Sequence, residues 1–310
     1  MSATRIAHAC LLAMLLEFQG SQPLPTSAHK APEVTQQPDG SVVFVTKELR
    51  VDADGAPNSY LVNGKGLSRT CDGVAAIVNG RALTTKDKDW QSQCQTAWAN
   101  AVATKNYTNV RIFGFSHDKA NVPILQRTGD PLPNVAFRTE TTLAVAGAPK
   151  NSQNEFVDAT RIPYVVLPGW FEKKFKVSPG DLVMVYRPQN GAVPFAVFGD
   201  EGGLGEASVK LHFNLGGAPV VCSGRVDRAS DNIEDKVWTV VFPGVSVETG
   251  LDATAWNARI QDAGVKALSH WGGTARLKTI AGGDPVVRAM TPPGSDRLTP
   301  CKRSISAKKS

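Results

Sequence analysis

Short apolar runs separated by glycine, proline and asparagine recur along most of this chain, which is the pattern of strands and turns. Val42–Thr46, Val110–Phe115, Phe137–Val145, Tyr164–Leu167, Asp181–Arg187, Pro194–Phe198, Val237–Phe242 and Val286–Met290 read as strands. Pro188-Gln189-Asn190-Gly191 joins two of them, and Asn-Gly tolerates the positive φ of a tight turn, so a β-hairpin is predicted there. Helical spacing is confined to three stretches. In Trp90–Ala103, Cys94, Ala97, Trp98 and Ala101 form an apolar stripe, with Trp98 read as core. Ala207–Leu215 predicts a short helix stopped by Gly216-Gly217, and Asp252 can cap a helix over Ala253–Leu268 that ends at Gly272-Gly273. The expected fold is mainly β (α+β): a single compact β-barrel or sandwich over residues 41–290 with peripheral helices.

Composition agrees. The 310 residues are 42% hydrophobic, enough for a sizeable core, and 28 glycines with 20 prolines favour turns over a helix bundle. The formal net charge is +6, but Lys302, Arg303, Lys308 and Lys309 supply four of those charges from the last ten residues. Two remain for the rest of the chain, which is no nucleic-acid footprint, and 291–310 reads as a basic tail. At the other end, Arg5, His8 and the apolar run Ala9–Leu16 resemble a signal peptide over 1–28, with Thr26-Ser27-Ala28 as a small-residue cleavage site. That run is too short to span a bilayer, so a secreted or periplasmic location without membrane association is expected, and a polar, disordered lead-in is expected over 29–40. Removing the leader takes Cys10 and leaves Cys71, Cys94, Cys222 and Cys301, an even number that suggests disulfides. Of the three possible pairings, Cys71–Cys94 is the first choice because the two flank one insert-like segment; Cys222–Cys301 then ties down the C-terminus.

The chemistry concentrates in Gly180–Gly217. The strand ending at Phe198 delivers Asp200, Glu201 and Glu206 onto a loop with Gly199, Gly202, Gly203 and Gly205. Strand, glycine loop and helix is also the outline of a dinucleotide site, but three acids would stand where a pyrophosphate must sit, and a hairpin precedes them. The same residues serve as a solvated turn with helix-capping acids, or as a carboxylate pair for acid/base work on a glycosidic bond. Asp52-Ala53-Asp54-Gly55 resembles the start of a calcium loop but lacks the third acidic ligand and the terminal glutamate. No C-x-x-C occurs and the histidines are scattered, so no metal or cofactor is expected.

An ordered set of segments resembles glycoside hydrolase family 75, the fungal-type chitosanases. Gly199-Asp200-Glu201-Gly202-Gly203 and Leu204-Gly205-Glu206-Ala207-Ser208 are similar to its signature, in which a strand, Gly-Asp-x-Gly-Pro and Gly-Glu-Gly-Ser follow one another. Val51–Tyr60, Asp130-Pro131, Thr141-Thr142-Leu143, Phe156-Val157-Asp158, Ile162–Gly169 and Val240–Gly244 match in the same order, about two thirds of the chain in all. Gly203 stands where the family has proline, and the segment between Asp200 and Glu206 is shorter.

The resemblance implies endo-hydrolysis of β-1,4-linked glucosamine with inversion, with Asp200 and Glu206 as the catalytic pair. The helix expected to open at Glu206 favours its ionised form and hence the base role. Asp158, Glu201, Asp52, Asp54 and Trp170 are the substrate-binding candidates, the acids for a cationic glycan and Trp170 for stacking on a sugar ring. The expected partner is a polysaccharide, chitosan or a related amino-sugar glycan, and the protein is expected to be a monomer. A basic protein suits a polycation poorly, so a peptidoglycan-type substrate, or glycan binding without cleavage, is the alternative.

Overall fold

The computed structural model describes residues 33–71, 76–83, 87–291 and 301. The expected leader, residues 29–32 of the lead-in and the basic residues 302–310 lie outside them, while residues 34–36 of the lead-in, expected to be disordered, form a strand that pairs with Val42–Phe44. Thirteen strands are described: β1 (Val34–Gln36), β2 (Val42–Thr46), β3 (Arg50–Asp52), β4 (Ala76–Val78), β5 (Arg81–Ala82), β6 (Val110–Ile112), β7 (Tyr164–Leu167), β8 (Asp181–Tyr186), β9 (Phe195–Glu201), β10 (Glu206–Ser208), β11 (Val220–Ser223), β12 (Val226–Ala229) and β13 (Val237–Ser246). Five α-helices join them: α1 (Trp90–Thr104), α2 (Gly169–Phe175), α3 (Val209–Asn214), α4 (Ala253–His270) and α5 (Gly273–Ala281). The fold is mainly β. Eight strands form one curled sheet, a half-barrel, in the order β1-β2-β13-β8-β9-β7-β10-β3.

The centre of that sheet is covered on both faces, which is why its strands read as continuous apolar runs. All six residues of β8 are buried. Leu182, Met184 and Tyr186 share one cluster with Tyr164, Val166, Phe195 and Val197, closed over by Trp256, Ile260 and Leu268 of α4 and Leu277 of α5. Val183 and Val185 face the other way, among Val165, Leu167, Ala196 and Phe198, under Phe171 and Phe175 of α2 and Leu211 of α3. The predicted hairpin forms between β8 and β9, with Gly191 at φ +73° in its turn. Asp252 caps α4 as expected, accepting from the amides of Thr254 at 2.8 Å and Ala255 at 3.2 Å.

A smaller sheet, β5-β4-β6, packs with α1 around its own core, where Trp98 meets Phe115 and Phe137 edge to face. Cys71–Cys94 pins α1 to this unit, and Cys222–Cys301 ties the β11–β12 hairpin to the chain end, the pairing chosen from sequence. Among the described residues no helix is long and apolar enough to cross a membrane.

Four further expectations are corrected. Phe137–Val145 makes only isolated bridges, from Phe137 to Leu125 and from Ala144 to Phe156, because its apolar residues anchor a loop between the two cores. Val286–Met290 is not a strand; Val286 alone bridges Ala192. Pro168-Gly169-Trp170-Phe171, which reads in the sequence as a turn with two aromatics, opens α2 instead, with Phe171 and Phe175 drawn onto the sheet. The helix expected from Ala207 starts at Val209, with Ser208 as its N-cap, because the preceding residues are taken up by sheet pairing.

Gly264 shows how tightly α4 sits. A Cβ there would overlap the ring of Phe195. Gly264→Ala is expected to lower stability in urea unfolding by about 2 kcal/mol through overpacking, although alanine is the better helix former. A gain in stability would mean that α4 slides freely on the sheet.

Candidate active site

β7 lies between β9, to which it runs parallel, and β10, to which it runs antiparallel. The connection Gly202–Gly205 therefore passes over the end of β7, where the Gly202 amide donates to the Leu167 carbonyl at 3.1 Å. Asp200 and Glu206 are left on strands either side of β7. Their backbones stand two strand spacings apart, about 9.6 Å.

A β-bulge decides which way Asp200 points. Val165 pairs with Phe198, yet Val166 pairs with Asp200, so Gly199 is an extra residue in β9. Without it Asp200 would follow Phe198 into the core under α2; with it Asp200 shares the face of Tyr164 and Val166. Only glycine fits, since a Cβ at 199 would lie 2.5 Å from Tyr164 Cβ. The backbone holds Asp200 further. Its Oδ1 accepts the Thr142 amide at 2.8 Å, the Thr142 hydroxyl at 2.9 Å and the Glu201 amide at 2.9 Å. Those bonds favour the ionised carboxylate, but burial first and the charge of Asp52 second outweigh them and raise its pKa to about 7.

Glu206 lies in β10, three residues before α3, so no helix dipole acts on it; this corrects the expected helix-opening position. Its pairing is ionic instead. Glu206 Oε1 meets Arg50 Nη2 at 2.6 Å, across the β3–β10 ladder in which the two residues are partners. Burial raises the Glu206 pKa, Arg50 opposes that, and Asp52 adds to it. Gly203 lets the backbone pass close against this ion pair: a Cβ there would stand 3.0 Å from Glu206 Oε1 and 3.1 Å from Arg50 Nη2.

Asp52 ends β3, level with Ser208 of β10. Its Oδ1 accepts the Asp54 amide at 2.9 Å, and its Oδ2 lies 3.0 Å from the Tyr164 hydroxyl, which is also 2.9 Å from the Asp54 carbonyl oxygen. Burial raises the pKa of Asp52. Burial and the charges of Asp52, Asp200 and Asp54 hold Tyr164 well above its usual value, so the phenol stays a donor. The Asp54 carboxylate lies 3.5 Å from the Thr139 hydroxyl.

Four of the seven sequence candidates thus converge, Asp52, Asp54, Asp200 and Glu206. The other three stand elsewhere. Asp158 closes a local turn, accepting the Thr160 amide at 2.8 Å and hydroxyl at 2.6 Å; burial raises its pKa. Glu201 pairs with Leu167, the face opposite to Asp200, and reaches Gly169 and Glu172 of α2. Trp170, 43% exposed, stands on that same helix against Phe171 and Phe175. Sequence reasoning assigned no role to Arg50, Thr142 or Tyr164. Thr142 and Tyr164 fall inside matched segments and Arg50 directly precedes one, which was the available signal. Among the described residues no group of three or more His, Cys, Asp or Glu side chains is placed to hold a metal ion.

No protein-family model matches the chain, and no curated protein matches it either. The arrangement offers one carboxyl that keeps its proton toward neutral pH and one carboxylate with a bound cation, on a common face, which is the equipment of acid/base chemistry.

The raised pKa of Asp200 has a consequence for stability. The folded state holds this proton up to about pH 7, whereas an ordinary aspartate loses it near 3.8, so the contribution is full below about 4 and is lost as pH rises to about 7. Asp200→Asn removes that loss. Relative to the parent it is expected to gain stability between pH 5 and pH 8, by up to about 3 kcal/mol, as read by urea unfolding at the two pH values. Parallel pH dependence in the two proteins would show that Asp200 ionises normally.

Proposed function

We propose that this protein is a secreted, endo-acting glycoside hydrolase that cleaves β-1,4-glucosamine linkages of chitosan with inversion, Asp200 serving as general acid and Glu206 as general base. The observation that carries the reading is the placement of these two carboxyls on one sheet face across β7, with unlike surroundings. Inverting glycosidases keep their carboxyls about 6.5–9.5 Å apart to leave room for a water, and a separation set by two strand spacings suits that class. Asp200, protonated up to about pH 7, donates to the leaving glycosidic oxygen. Glu206, held toward its anionic form by Arg50, draws a proton from the water that attacks the opposite side of the sugar.

Further support comes from the ordered segments that resemble family 75, since Asp52, Thr142, Tyr164, Asp200 and Glu206 all stand within them. Asp52 and Asp54 add negative charge to the site and so offset the basic character of the chain for a cationic glycan. Export agrees with the two disulfides and with the leader-like N-terminus.

The test is reducing-end release from well-deacetylated chitosan, with peptidoglycan in parallel. The parent is expected to release ends from chitosan, with activity falling as pH rises through about 7, where Asp200 loses its proton. Folded Asp200→Asn and Glu206→Gln are each expected to lose at least about 100-fold in kcat. Release from peptidoglycan alone would move the substrate class, and binding of either glycan without turnover would replace the enzyme by a glycan-binding protein.

A further inference from the structure

Asp52 is set apart from the other acids of the site by how firmly its carboxylate is placed. One oxygen takes the Asp54 amide, and the other faces the Tyr164 hydroxyl, whose ring crosses from β7 over β10 to reach β3. Arg50, two residues earlier on the same strand, is engaged by Glu206. Asp52 therefore presents its charge from a fixed position, with hydrogen bonds as its support.

Asp200 takes its hydrogen bonds at one oxygen. All three of its described donors, the Thr142 amide and hydroxyl and the Glu201 amide, reach Oδ1. Oδ2 is the oxygen left to carry a proton. We propose that Asp52 is a positioning residue of this site, whose carboxylate, fixed by the Asp54 amide and the Tyr164 hydroxyl, keeps the proton on Asp200 and so decides that Asp200 rather than Glu206 is the proton donor. The direction of the shifts agrees, since the charge of Asp52 acts on both flanking carboxyls but only Glu206 has a cation to answer it.

The charged and titratable groups around Asp200 are Asp52 and Arg50 from β3, Asp54 from the turn that follows, Tyr164 from β7, Glu201 beside it on β9 and Glu206 from β10; the loop that packs against it contributes the neutral Thr142. Asp52 is the one among them whose charge acts on Asp200 most strongly after burial itself.

The proposal rests on Asp200 as the acid, but its test needs no substrate, so it can fail while glycan cleavage stands, and the reverse. The full chain is labelled with ¹³C at aspartate carboxyls, the Asp200 signal is identified by its loss in Asp200→Asn, and its midpoint is followed by NMR from acid to mildly alkaline pH. In the parent the midpoint is expected at about 7. Asp52→Asn keeps the shape of residue 52 and one acceptor oxygen for the Asp54 amide, turns its amide nitrogen to the Tyr164 oxygen as a donor, and is expected to bring the midpoint below that of the parent, with burial still holding it above the ordinary value near 3.8. Tyr164→Phe removes a donor that favours the ionised form of Asp52 against its burial, and is expected to move Asp200 the same way by less; it decides the matter should Asp52→Asn fail to fold. Asp158→Asn, outside the cluster, is expected to leave Asp200 unmoved. An unchanged Asp200 midpoint in folded Asp52→Asn or Tyr164→Phe overturns the proposal, as does a parent midpoint near 3.8.

Discussion

The position of β7 between β9 and β10 governs the arrangement of everything around it. A strand in that place must be covered on both faces, which calls α4 to one side and α2 with α3 to the other. It also forces the chain leaving β9 to climb over the end of β7 before it can return as β10. Two acids close in sequence are thereby set on opposite flanks of one strand. The same wedge brings Tyr164 across to the edge strand that carries Asp52.

The site is a case of burial set against sparse compensation. Asp52, Asp200 and Glu206 are all pushed toward their protonated forms by loss of water, and each is answered differently. Glu206 has a cation, Asp52 a phenol and an amide, and Asp200 three donors on one oxygen. Net basicity of the chain hides this, because much of the positive charge stands in its last ten residues. The local field and the overall charge are separate quantities.

Local pattern carried the parts of the fold that local physics decides. The hairpin at Asn190-Gly191, the Asp252 cap and the apolar stripe of α1 were all legible, and cysteine parity with chain order led to the observed pairing. What failed had tertiary causes. Glu206–Ser208 has the composition of a helix start, but ladders to β3 and β7 on either side claim its backbone. Phe137 and Leu143 look like strand residues but anchor two different cores. Of the site, the four converging acids were legible as types at motif positions. Their company was not, since neither the Gly199 bulge nor the reach of Tyr164 leaves a periodic trace.

Arg50 and Glu206 are 156 positions apart, and β2 finds its inner neighbour only in β13. These pairings make the fold one of long-range contacts, slow to close because each must first overcome the entropy of a large loop. The strand that carries Asp52 has its ladder partner only in Glu206–Ser208, so it cannot join the sheet until the chain has passed Ser208. A chain that stops before Glu206 lacks β10, the strand that joins β3 to β7, so it has neither the Arg50–Glu206 ion pair nor the frame that brings Asp52 to Tyr164.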